Sequence, residues 1–78
     1  MSDRVAAVFS TVLKVPPDSI SDETSPENTP QWDSLSAIDL VLAIEDEFQI
    51  KLTTREIVAM RNVALVKQVL RSKGAIHA

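Results

Sequence analysis

Few side chains in this sequence could do chemistry, and the most prominent is a serine hydroxyl. In the run "QWDSLSAIDL", residues 31–40, Ser34 follows Asp33 where a helix should begin. A serine there can cap the helix, or it can be a point of covalent attachment. The remaining inventory is sparse. There is no cysteine, so no disulfide, thiolate nucleophile or Cys-based zinc site is available. The one histidine, His77, stands next to the last residue and is a poor candidate for a metal or catalytic site. The one glycine, Gly74, rules out Gly-rich phosphate-binding loops. With no base, nucleophile elbow or metal site, a small hydrolase is excluded.

The elements that must position Ser34 can be read from periodicity. "SDRVAAVFSTVLKV" places Val5, Val8, Phe9, Val12 and Leu13 on one helical stripe, with Ser2 as N-cap, Asp3 near the positive end of the dipole, and Pro16 and Pro17 as the stop. A polar loop, "PPDSISDETSPENTPQW", follows; at roughly 17 residues it is long for a small domain. Ile20 and Trp32 are its expected anchors. The second helix is predicted over 34–48, with Asp33 as its N-cap. Thr53 and Glu56 have the spacing of a capping box for a short helix at about 54–60. Asn62 then caps a last helix whose apolar positions are Val63, Val66, Val69 and Leu70. Lys67, Arg71 and Lys73 lie toward its negative end, and Gly74 is its C′ residue.

The predicted fold is all-α: a small four-helix bundle of three main helices and one short one, with a long loop between helices one and two. The 78 residues make one domain, with an ordered core over about 3–72. A chain 45% hydrophobic and 24% charged has the profile of a globular protein. Its net charge of −3 disfavours nucleic acid and favours partners with basic patches. No apolar run approaches the ~20 residues of a membrane span, and the N-terminus lacks the pattern of a secretion signal. These features predict a cytoplasmic protein without membrane insertion; a monomer is expected, although nothing in the residues fixes the oligomeric state.

At about 100° per residue, Ala37, Leu40, Val41, Ile44 and Phe48 share one face of the second helix, the expected core stripe. Leu35, Ile38 and Leu42 form another, with Asp39, Glu45 and Asp46 around them. Either the helix is nearly surrounded by core, or the second stripe is an exposed patch rimmed by acids that docks basic partners. The acids favour the second reading, because a surrounded helix would have to bury them.

The Asp33-Ser34-Leu35 motif, with "WDSLSAIDLVLAIEDEFQIKLTTREI" around it and the long preceding loop, resembles the acyl and peptidyl carrier proteins. These are small four-helix carriers with a 4′-phosphopantetheine arm on the serine of such a motif. The resemblance implies that Ser34 bears the arm through a phosphodiester near the positive end of the second helix. It implies that the arm supplies the thiol for acyl or aminoacyl thioesters, since the chain has none. It implies modification by a phosphopantetheinyl transferase, from coenzyme A, followed by service to acyl- or aminoacyl-activating and acyl-transferring enzymes. The protein is then a shuttle and not an enzyme. By the same resemblance, Leu35, Ile38 and Leu42 match partner-facing apolar positions, Asp33, Asp39, Glu45 and Asp46 match acids that meet basic patches, and Ile57 and Met60 form the other side of that surface. For Met60, plain core packing is the favoured alternative.

The sequence departs from carriers of housekeeping fatty-acid synthesis. Gln31-Trp32 precede the motif, Ser36 follows it where an acid is usual, and Thr53-Thr54-Arg55 replace a more acidic start of the third helix. This resembles a freestanding carrier of polyketide, nonribosomal-peptide or lipid-modification chemistry. The alternative from another class is an unmodified helical adaptor that binds a protein through Leu35, Ile38 and Leu42.

Overall fold

The computed structural model describes residues 4–76. Among them it has four α-helices and no strand: α1 (Arg4–Leu13), α2 (Ser34–Phe48), α3 (Thr54–Ala59) and α4 (Val63–Ser72). The α1 stripe buries Val5, Val8, Phe9 and Leu13. The predicted cap Ser2, its neighbour Asp3 and His77 lie outside the described residues.

All three long helices stop the same way. A left-handed residue follows the last turn, and the next N–H reaches back to a carbonyl five residues earlier. Gly74 does this after α4, with φ of 74° and Ala75 N–H on the Leu70 carbonyl at 2.9 Å. Lys14 (φ 59°) and Gln49 (φ 53°) do it after α1 and α2, with Val15 on Ser10 at 3.2 Å and Ile50 on Glu45 at 3.1 Å. Pro16 and Pro17 therefore sit beyond a stop already made at Lys14. In each case the residue after the left-handed one packs on the core, and this contact helps hold a conformation that Lys and Gln otherwise disfavour.

The long loop is well engaged. It contains a 3-10 turn (Pro17–Ser19), and Ile20 packs on the core as expected. Thr24 is buried and accepts the Ser21 N–H at 2.9 Å on its hydroxyl. The Thr24 and Asp22 carbonyls accept the N–H groups of Val63 and Ala64 at 3.0 and 3.1 Å. Those are the first two donors of α4, which have no partner inside their own helix. Asn62 supplies a third acceptor, to Leu65 N–H at 2.8 Å, and Lys67 pairs with Asp22 at 2.9 Å. The loop thus caps the last helix and is held by it.

Phe9, Leu40, Ile44, Val63, Val66 and Leu70 form the innermost core. Trp32, predicted as an anchor, packs edge-on against Phe9 with ring centres 5.1 Å apart. At the other end of α2, Arg4 bonds the Glu47 carboxylate at 3.1 Å and lies 4.6 Å from the centre of the Phe48 ring. The register of α2 is therefore fixed at both ends by contacts involving α1.

Candidate functional site

The site begins with the cap of α2. Asp33 is extended (φ −107°, ψ −171°), and its Oδ1 accepts the Leu35 and Ser36 N–H groups at 3.1 and 2.9 Å. Ser36 completes a capping box: its Oγ accepts the Asp33 N–H at 2.8 Å and donates to the Gln31 carbonyl at 2.7 Å. The sequence identified Asp33 as the cap but not Ser36, because the usual residue at that position is a longer Glu or Gln. The chain before Asp33 also folds back, which brings the Gln31 carbonyl within reach of the Ser36 proton.

Ser34 is the first residue of the helix, exposed, and its hydroxyl takes no part in this cap. The two serines divide the roles between them: Ser36 is committed to the backbone and Ser34 faces water. The Asp33 carboxyl is held below its ordinary value, chiefly by the Ser36 backbone N–H and then by the Ser36 hydroxyl. A carboxylate so stabilised is a weak proton acceptor.

Beside Ser34, Leu35 is 75% exposed, and Ile38 and Leu42 are each 59% exposed. The second stripe of α2 is therefore a surface and not a second core. Ala37, Ile38, Val41, Leu42 and Ile57 line an open apolar groove of about 250 Å³ between α2 and α3. Val41, expected in the core stripe, is half-buried in this groove; Leu40, Ile44 and Phe48 are the buried members. Ala37 and Ile38 follow Ser34 by three and four residues, so the groove starts one turn from the hydroxyl. Val58 is 70% exposed on α3; a six-residue helix is too short for periodicity to tell its inner face from its outer one.

The acids flank this stripe unevenly. Asp39 and Asp46 are exposed. Glu45 is half-buried, and one of its oxygens accepts the Leu52 N–H at 2.8 Å, which ties down the segment after α2. Leu42, Glu45 and Asp46 also border a second hollow of about 470 Å³ with Gln49, Ile50 and Lys51, so Leu42 joins the apolar groove to the acidic end. Met60, considered for the outer surface, packs half-buried against the core, and Ile57 reaches the groove in its place.

These residues fit a phosphopantetheine arm. The first turn of α2 carries no acidic side chain. A phosphate on Ser34 would meet the positive end of a 15-residue helix and one carboxylate already engaged by N–H donors. The apolar groove lies within a short reach. Ser34, the first turn and the groove lining are the groups that would hold the arm, and the thiol it supplies can carry an acyl group.

Among the described residues no helix is long and apolar enough to cross a membrane. A family model, described as the phosphopantetheine attachment site, matches residues 3–70. Members of that family carry a covalent 4′-phosphopantetheine group and are carriers that meet modifying and synthetic enzymes. The match takes in all four helices up to the last residues of α4, and the chain belongs to this phosphopantetheine-carrying family.

Proposed function

We propose that the chain is a single carrier domain that bears its arm on Ser34 and presents acyl or aminoacyl groups, as thioesters, to a series of partner enzymes. The observation that carries this reading is the exposed, uncommitted hydroxyl of Ser34 at the start of a helix whose cap is supplied by its neighbours. The protein performs no bond-making of its own; a phosphopantetheinyl transferase loads it, and activating and transferring enzymes visit it in the cytoplasm while it remains a monomer. Leu35, Ile38 and Leu42 give such visitors an apolar footprint, with Ile57 across the groove. Asp33, Asp39, Asp46 and the free oxygen of Glu45 steer basic patches toward it, an effect that weakens as salt rises. The serine at position 36 and the Thr-Thr-Arg start of α3 point to a specialised polyketide, nonribosomal-peptide or lipid-modification pathway.

The test is intact mass after incubation with coenzyme A, Mg²⁺ and a transferase of broad specificity. The mass should rise by one phosphopantetheine, and Ser34→Ala should abolish the gain without loss of helical signal. If several transferases leave the wild-type mass unchanged, while Ile38→Glu still destroys binding to a native partner, the protein is the unmodified adaptor instead.

A further inference from the structure

We propose that Ser36 is a positioning residue for the modification of Ser34, holding the attachment turn in the shape that a transferase binds. This rests on the assignment of the arm to Ser34.

The Ser36 hydroxyl is the hub of the turn. It accepts the Asp33 N–H at 2.8 Å and directs its one proton to the Gln31 carbonyl at 2.7 Å, with Asp33 Oδ1 a weaker neighbour at 3.1 Å. These bonds close the chain from residue 31 to 36 into a ring around Ser34. The ring is joined to the core through Trp32, whose N–H donates to the Thr29 carbonyl at 2.9 Å and whose side chain packs on Phe9. Ser34 itself makes none of these bonds, so its orientation is inherited from the residues on either side. Removing the hydroxyl frees the Asp33 N–H and the Gln31 carbonyl to bond water. Gln31, Asp33 and Ser34 then sample other conformations, while Trp32 stays packed on Phe9 and the core beneath is kept.

The transfer forms a bond between Ser34 Oγ and phosphorus as the bond from that phosphorus to the bridging oxygen of the coenzyme A diphosphate breaks. The serine proton passes to a base of the transferase, and the nucleotide bisphosphate leaves. Ser36 touches none of the reacting atoms. Its effect falls on the fraction of free chains already in the bound shape, and apparent affinity scales with that fraction. Loss of the hydroxyl should therefore raise KM and leave kcat nearly unchanged.

The experiment is steady-state transfer kinetics on the full chain with coenzyme A and Mg²⁺, comparing wild type, Ser36→Ala, Ser36→Thr and Ser36→Val. Threonine and valine have nearly the same shape and differ by the hydroxyl. We expect KM for the carrier to rise about fivefold in the alanine and valine variants, the effect of losing one cap, with kcat within about twofold and threonine near wild type. Equal KM in all four chains would overturn the proposal, as would equal losses in threonine and valine, or a fall in kcat at constant KM. Loss of helical circular dichroism in Ser36→Ala would also overturn it, because the hydroxyl would then support the fold as a whole. Failure of the attachment reading looks different: wild type itself would gain no mass at Ser34.

Discussion

The two walls of the groove begin alike and are held differently. Both α2 and α3 start with a reciprocal capping box, Asp33 with Ser36 and Thr53 with Glu56. Behind the first box, α2 runs for 15 residues and buries Leu40, Ile44 and Phe48. Behind the second, α3 has six residues and buries none. α3 is held at its first turn: Glu56 accepts the Thr53 N–H at 2.9 Å and pairs with Lys73 of the α4 terminus at 3.0 Å. The site thus has a fixed wall, which bears the Ser34 hydroxyl proposed for attachment, and a wall held largely by polar contacts, which bears Ile57. A carrier that must admit different visitors gains from that inequality, since low local stability concentrates in elements with few buried apolar contacts.

The largest effect should come from breaking the fixed wall. Ile44→Ala removes a fully buried side chain and should cost about 3 kcal/mol in a denaturant titration. Ile57→Ala, at 38% exposure, should cost about 1 kcal/mol in the same experiment. Comparable losses at the two positions would remove the distinction.

Next in size is the polar hold on α3. Glu56→Gln should speed native-state amide exchange in α3 and leave the core amides of α2 unchanged; equal acceleration in both helices would contradict the account. Acid should act in the same direction. The Glu56 carboxyl is held below its ordinary 4.5 by the Thr53 N–H and then by Lys73, and Asp33 is held below 3.8 by the Ser36 N–H and then its hydroxyl. A carboxyl held low stabilises the fold above its ordinary value and stops doing so as pH falls through the folded value. Both caps should therefore weaken on acidification and be indifferent to a rise above neutrality. Thermal midpoints measured across the carboxylate range should fall less steeply in Glu56→Gln than in wild type.

The helices were legible because their signals are local. Apolar spacing located the three long ones, the Thr53–Glu56 capping box located α3, and Asp33, Asn62 and Gly74 marked ends by residue type. The exposed stripe of Leu35, Ile38 and Leu42 could be suspected from the acids beside it. What the sequence hid depended on chain segments meeting in space. The Ser36 hydroxyl found the Gln31 carbonyl as well as the Asp33 N–H, Thr24 and Asp22 became caps for α4 across the fold, and Val41 lines the groove beside Ile57 of α3. The left-handed stops at Lys14 and Gln49 were hidden for a different reason: neither residue type advertises positive φ. The smallest predicted effect follows from one of them. Lys14→Gly should stabilise the chain by about 0.5 kcal/mol, the relief of a left-handed side chain less the added backbone entropy of glycine. A destabilised variant would mean that the Lys14 side chain supplies more than its strain costs.

The central claim is that, of two serines separated by one residue, the one left free by the cap receives the arm. Peptide mapping by tandem mass spectrometry, on protein loaded by a transferase or isolated from its native cell, decides this most directly. The account predicts the phosphopantetheine on Ser34 alone, with Ser36 unmodified. An adduct on Ser36, or on any residue other than Ser34, would contradict it.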